Sequence, residues 1–345
     1  MTLPVNPPLS PMLAKLEAVM PTGEGWLYEP KWDGFRAIVF RDADELSITS
    51  RDTRPIDRYF PELAEPLKEV FPDKCVIDGE IVVAGEDGLE FDSLQLRIHP
   101  AASRVTMLSE TIPAAFVAFD LLAIGDEDLM SRPLVERRAE LEKALRSASP
   151  ADPTKIAGRE IFLTPQTSDP AEAEVWFDAF EAQGLDGVIA KRSGIVYSPG
   201  KRTMIKIKHK RTADCVVGGY RLSKGGDGVG SLLLGLYDGT GVLHYVGHTS
   251  SFKAAERRAL LAELKELEGG ESFGGGRSPG GVSRWTGSKE TSWVPLEPSL
   301  VCEVSFDHMQ GERFRHAATF VRWRPEKEPG DCDFLQLGPL FKGNA

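Results

Sequence analysis

With 345 residues, the chain is long enough for about two domains and for a core that holds without disulfides. Hydrophobic residues make up 41% and charged residues 27%, a globular balance that sets aside a disordered or fibrous chain. The formal net charge of −11, read as an average, speaks against a phosphate-rich partner, although a local cluster of Lys and Arg can override an average.

No stretch approaches the roughly 20 apolar residues of a membrane span. The opening Met1-Thr-Leu-Pro-Val-Asn-Pro-Pro8 lacks the basic-then-apolar pattern of a secretory signal. A cytoplasmic protein with no membrane partner is expected. Cys75, Cys215, Cys302 and Cys332 are scattered without a C-x-x-C, which argues against a disulfide framework or a structural zinc site. The histidines show no H-x-E spacing. A P-loop is missing.

In chain order, Leu46–Thr49 is strand-like, and Val76–Val83 reads as a strand interrupted by Asp78-Gly79-Glu80. Phe116–Leu122 has the continuous apolar run of a buried strand. Leu134–Arg146 repeats Leu134, Leu141 and Leu145 at helical spacing, and Ala171–Gln183 is a second helix with Gly184 as its C-terminal cap. Strands Gly187–Ala190 and Met204–Ile207 follow. This mixture predicts an α+β sheet domain over residues 1–208.

The character then changes. Val216–Arg221, Leu232–Tyr237, Val242–Gly247, Val301–Phe306 and Thr319–Trp323 are short β runs, interrupted by a mixed-charge helix, Ser251–Glu268. Five strands with one capping helix are the count of an OB-type barrel, expected over residues 212–345. Gly225–Gly230 is expected to be a hairpin turn, and Gly269–Gly281 a Gly/Ser-rich loop. Lys208–Asp214 is the expected hinge. Residues 1–210 carry 25 basic and 35 acidic side chains against 16 and 17 in the remainder, so nearly all the acidity precedes that hinge.

The residues that point to chemistry begin with Glu29-Pro-Lys31-Trp-Asp33-Gly34-Phe-Arg36, a K-x-D-G-x-R motif. A lysine is a nucleophile only when neutral, and burial or neighbouring cations favour that form. Gly34 lets the backbone pass close to a ligand, and Arg36 offers a fixed fork of donors. Five further segments follow in order: Ser50-Arg51, Asp78-Gly79-Glu80 with Phe119-Asp120, Asp186-Gly-Val-Ile-Ala-Lys191, Lys206-Ile-Lys208, and Arg322-Trp-Arg324-Pro-Glu-Lys327. Alternation along a strand puts Lys206 and Lys208 on one face, where two cations need an anion between them.

From Pro11–Ala14 to Asp331-Cys332 the chain resembles the ATP-dependent DNA ligases among the covalent nucleotidyltransferases. It looks most like the small bacterial ligase C type and the ligase module of ligase D. The resemblance implies a nucleotidyltransferase (ATP-grasp-like) adenylation domain followed by an OB-fold β-barrel. It also implies that Lys31 attacks the α-phosphorus of ATP. Glu29 would lie beside adenine, Phe119 would stack on it, and Lys191 would contact the nucleotide. Arg36 and Arg51 would bind the sugar, and Lys206 and Lys208 the α-phosphate. Glu80 would touch a ribose hydroxyl and a catalytic Mg²⁺ or Mn²⁺. Asp186 stands where the family has Glu and would be a second metal ligand, directly or through water. Arg324 and Lys327 would orient the β- and γ-phosphates, with Glu326 where the family has Asp. The implied partner is nicked duplex DNA, met by a monomeric minimal repair ligase with repair polymerases or end-binding proteins as recruiters. RNA ligases and GTP-using capping enzymes share the lysine chemistry, and a non-catalytic OB-fold nucleic-acid binder is the rival from another class. Lys201–Arg211 holds six positive charges and no acid, which predicts a small, salt-sensitive phosphate footprint.

Overall fold

The computed structural model describes residues 1–85, 88–180, 183–209, 211–270, 272–274, 279 and 292–340. It divides into two compact units, Met1–Lys208 and His209–Ala345.

The main strands of the first unit are β1 (Leu13–Glu17), β2 (Trp26–Pro30), β3 (Phe35–Asp42), β4 (Glu45–Ser50), β5 (Lys74–Val82), β6 (Ala115–Ile124), β7 (Ile161–Leu163), β8 (Val188–Arg192) and β9 (Arg202–Ile207). They build two sheets. The smaller has the order β1-β9-β8-β2, and the larger runs β7-β6-β5-β3-β4 with Ser149–Pro150 beyond β7. The central strands β3, β5 and β6 are buried along nearly their whole length rather than at alternate residues because both faces are covered. Ala37 and Val39 of β3 face a cluster that holds Leu67 and Leu141 of the helices. Ile38 and Phe40 face the other way, towards Met12, Tyr197 and Met204. Arg36 continues that second face of β3, and Asp78 and Glu80 continue it from Val76 of β5, so the polar residues enter the space shared with the smaller sheet.

One irregularity in this sheet matters for function. Across β5 and β6, Asp78 pairs with Asp120 and Gly79 with Ala118, so Phe119 is the extra residue of a β-bulge. A bulge re-aims a side chain out of the regular pleat. Gly79 opposite it has no room for a side chain, since a Cβ there would lie 2.2 Å from the Phe116 ring.

The expected helices form but are shorter. Leu134–Ala144 stops two residues early, and its buried stripe contains Arg137 and Arg138 as well as Leu134 and Leu141. The second helix is Pro170–Ala179, capped at its start by the Asp169 side chain. It stops before the expected Gln183; residues 181–182 lie outside the described set. Gly184, at φ +80°, serves the turn beyond, where Leu185 N–H bonds to the Phe180 carbonyl.

The second unit is built on β10 (Arg211–Leu222), β11 (Val229–Tyr237), β12 (Leu243–Thr249), β13 (Val301–Phe306) and β14 (Thr319–Trp323). They form an antiparallel sheet in the order β12-β11-β10-β13-β14. Its two edges meet through an isolated parallel bridge between Thr249 and Ala318, so among the described residues no full ladder closes the barrel. Leu260 and Leu264 of the helix Ala254–Leu264 are buried against the apolar interior, which makes it the capping helix expected over a longer range. Gly225–Gly228 lies in the hairpin turn between β10 and β11, tied by Ser223 N–H to the Gly228 carbonyl, while Val229 and Gly230, expected in the turn, already belong to β11. Residues Arg211 to Asp214, expected in the hinge, are already strand and pair with Phe306 to Glu303 of β13. Most of the Gly269–Gly281 stretch, and Lys210, lie outside the described residues. All four cysteines are buried free thiols. Among the described residues no helix is long and apolar enough to cross a membrane.

Candidate active site

Lys31 follows the end of β2 and is fixed by backbone before its side chain acts. Its N–H donates to the Gly187 carbonyl, and its carbonyl accepts from the Asp186 N–H. Gly34 then crosses β5 so closely that a Cβ would lie 2.2 Å from the Ile81 carbonyl oxygen. Gly187, at φ +123°, makes the same kind of approach to Ile207.

The Lys31 ammonium lies 2.6 Å from Asp186 Oδ2, and Lys208 Nζ lies 2.7 Å from the same oxygen. Burial alone would lower the Lys31 pKa, but the Asp186 carboxylate, helped by Asp33, holds it above the usual lysine value. This corrects the expectation that neighbouring cations depress it. The depression falls on Lys206 instead, through burial and the charges of Lys208 and Lys31. β9 ends at Ile207, so Lys208 is the first residue past the strand rather than on its face.

Lys31 opens onto a cavity of about 180 Å³. Of the residues singled out in the sequence, Glu29, Lys31, Arg36, Arg51, Glu80, Phe119, Lys191 and Lys206 line it. Asp186 and Lys208 stand behind Lys31 and reach it through the ion pairs. Glu29 is buried and pairs with Lys191 at 2.7 Å, while Gln166 donates to its other oxygen at 2.7 Å. Arg36 makes two 2.6 Å bonds to Asp78 and lies 4.2 Å from the Phe119 ring centroid, which the Lys191 ammonium approaches at 5.0 Å. The bulge thus presents Phe119 to the cavity.

Glu80 differs from the other acids. No hydrogen bond or ion pair engages its carboxylate among the described residues, and burial pushes its pKa up to about 7 despite Arg36 and Lys31. That is the condition of an oxygen donor suited to a hard cation. Asp186 is not in that condition, because its carboxylate is occupied by two ammonium groups. Among the described residues no cluster of three or more acidic, His or Cys side chains forms a ready metal cage.

Several residues were missed. Arg202 and Met204 line the cavity with Lys206 because they share its face of β9. The period of two used for Lys206 was the signal that would have found them. Gln166 and Tyr197, which hold site residues in place, carry no such signal, whereas Asp78 shares a strand face with Glu80 by the same alternation. The basic run Lys201–Arg211 is also not one patch. Arg202 and Lys206 face the cavity, Lys208 is paired with Asp186, and Arg211 donates to the Asp307 carbonyl. In the second unit Arg324 and Lys327 converge on Asp214, at 2.7 and 3.5 Å, and Arg324 also bonds to Glu326.

Lys31 thus shares a cavity with several cations and, among the described residues, one carboxylate without a hydrogen-bond partner, a lining suited to a phosphate-bearing ligand. The sequence matches the model of the ATP dependent DNA ligase domain over residues 7–208 and that of the ATP dependent DNA ligase C terminal region over residues 225–327. The chain belongs to the ATP-dependent DNA ligase family. It is 52% identical to DNA ligase C2 of Mycolicibacterium smegmatis over 351 residues, covering 98% of this chain and 96% of that one. It is equally similar, 52% over 349 residues with the same coverage, to DNA ligase C of Mycobacterium tuberculosis. A solved Lig E DNA ligase structure shares the fold at a TM-score of 0.55 and 18% identity, over 91% of this chain and 99% of that one.

Proposed function

We propose that the chain seals nicks in duplex DNA, joining a 3′-hydroxyl to a 5′-phosphate through a Lys31–AMP intermediate. The observation that carries this reading is Lys31 itself, backbone-clamped and opening onto a cavity with Arg36, Glu80 and Lys206 on its walls. Neutral Nζ forms a bond to the α-phosphorus while the bond to the bridging oxygen breaks and pyrophosphate leaves. AMP then passes to the 5′-phosphate, and attack by the 3′-hydroxyl expels it.

In this reading Glu29, with Gln166 and Lys191, presents polar groups to the base, and Phe119 offers a ring face. Arg36 and Arg51 take the sugar, and Lys206 and Lys208 the α-phosphate. Glu80 would hold a Mg²⁺ or Mn²⁺ ion, whose charge offsets that of the reacting phosphate. Asp186 acts on Lys31 and Lys208 rather than on the metal. Adenylation belongs to the first unit. Arg324 and Lys327 of the OB-fold unit orient the leaving pyrophosphate. Action as a cytoplasmic monomer recruited by a repair polymerase or by end-binding proteins is part of the same proposal.

Incubation of a nicked duplex with the enzyme and a divalent cation tests the reading. Sealing is expected with ATP and with DNA on both sides of the nick. Sealing driven by GTP or NAD and not ATP would overturn it.

Asp186→Asn gives an independent check on Lys31. Only neutral lysine attacks, so the rate rises with pH until Lys31 is fully deprotonated. Removing the Asp186 charge lowers the Lys31 pKa, so the rising limb of kcat/KM for self-adenylation should move to lower pH. An unmoved limb would show that Asp186 does not set the lysine's charge.

A further inference from the structure

Asp78 has no exposed surface, and a carboxylate in that position must be paired. Arg36 supplies two donors, Nε to Oδ1 and Nη2 to Oδ2, each at 2.6 Å. Oδ2 has a third donor, the hydroxyl of Tyr197, also at 2.6 Å. The same phenolic oxygen accepts the backbone N–H of Met12 at 3.1 Å. Tyr197 is itself buried and comes from the segment between β8 and β9. A single hydroxyl therefore joins three parts of the chain: β5 through Asp78, β3 through Arg36, and the segment before β1 through Met12.

All three parts form cavity wall, β5 through Glu80. Arg36 lines it, and so do Met12 and its neighbours Pro11 and Leu13. Asp78 takes Nε and Nη2 of the guanidinium, which directs Nη1 away from that carboxylate, while the plane of the fork lies over Phe119. The direction of Nη1 follows from the orientation of Asp78. Arg36 alone leaves the carboxylate free to pivot with the fork. A donor from a different element, itself tied to a backbone amide, removes that freedom.

We infer that Tyr197 is a positioning residue for nucleotide binding: through Asp78 it sets the orientation of Arg36, and through Met12 it ties a second stretch of cavity wall to the same point. The inference rests on the reading that Arg36 contacts the nucleotide. Tyr197 touches neither ATP nor the reacting atoms, so its loss weakens ATP capture more than the chemical step. Preorganisation of this kind is felt in KM when the group positioned makes uniform contacts to substrate and transition state.

The test uses the full chain, α-labelled ATP and four proteins: unaltered, Tyr197→Phe, Arg36→Ala and the double variant. Tyr197→Phe is expected to raise the KM for ATP in self-adenylation about tenfold, with the maximal rate within about twofold, as for loss of one hydrogen bond to a charged group. Arg36→Ala should raise KM at least as much, and the double variant no further than Arg36→Ala alone. At saturating pre-adenylated nicked DNA, which already carries its AMP, the sealing rate should stay within about twofold in Tyr197→Phe. KM increases that multiply in the double variant would show that Tyr197 acts independently of Arg36 and would overturn the inference. So would an unchanged KM in Tyr197→Phe beside a raised one in Arg36→Ala, which leaves the role of Arg36 standing. Equal loss in both assays, including loss through misfolding, assigns Tyr197 to general structure and overturns it as well. An unchanged KM in Arg36→Ala removes the reading of Arg36 itself, and the inference with it.

Discussion

Lys31→Ala is expected to leave no label on the protein after incubation with α-labelled ATP and a divalent cation. Sealing of an ordinary nick should fall by about a thousandfold or more, since no covalent intermediate can form. Sealing of a pre-adenylated nick should survive, because that step starts after the lysine has done its work. Lys31→Arg should fail like Lys31→Ala, since guanidinium stays protonated and has no lone pair to offer. The outcome is not trivial, because the local electrostatics point elsewhere. Lys206 lines the same cavity and has the depressed pKa, whereas Asp186 holds Lys31 in its charged form. What singles out Lys31 is position: two backbone bonds to Asp186 and Gly187 and the tight crossing at Gly34 fix where its side chain starts. Its ion pair must open before attack. Label that persists in Lys31→Ala and disappears in Lys206→Ala would transfer the nucleophile to β9.

The parts of this site that were legible in the sequence are those in which chemistry and spacing coincide. Lys31, Gly34 and Arg36 declare a close turn with a nucleophile and a fork of donors within six residues. Lys206 was legible from strand alternation, and the same alternation would have added Arg202 and Met204. Phe119 was read as a stacking aromatic, but the reason it leaves the pleat was hidden. A bulge is a property of two strands in register, and nothing in Phe116–Leu122 alone shows that Asp78 and Gly79 will straddle it. The charge state of Lys31 was misjudged for a similar reason. The nearby cations were visible, whereas the acid that outweighs them arrives from a distant turn.

Helical periodicity failed at Arg137 and Arg138 in an instructive way. Leu134, Leu141 and Leu145 marked the buried stripe correctly, and positions 137 and 138 fall on that stripe. An arginine there reads as solvated until its partner is known, and the partner is Asp120 on β6. Arg137 reaches it with Nε at 2.8 Å and Nη2 at 2.9 Å, and its Nη1 donates to the carbonyls of Arg132 and Ile195 at 2.6 and 3.0 Å. Neither charged side chain has appreciable exposure: 0% for Arg137 and 2% for Asp120.

Arg137→Ala should therefore be among the most destabilising single changes in the first unit. It leaves a carboxylate in the core with no counter-charge, together with two carbonyls without donors. Breaking a buried pair from one side costs about 3–5 kcal/mol, a large share of the roughly 5–15 kcal/mol that holds a typical domain. At about 2–4 °C per kcal/mol for a domain of this size, the melting transition should drop by roughly 10 °C. The sign is opposite for a paired replacement. Arg137→Met with Asp120→Leu removes both charges and fills the volume, so it should recover most of the lost stability. Recovery of stability need not restore activity. Asp120 is the bulge partner of Asp78 and the neighbour of Phe119, so an apolar pair there can fold well and still hold the ring at the wrong angle for ATP. Thermal melts of the three variants, read beside the KM for ATP, separate the two effects. A drop of less than about 2 °C in Arg137→Ala would mean that water reaches Asp120, and that the ion pair is not what secures this helix to the sheet.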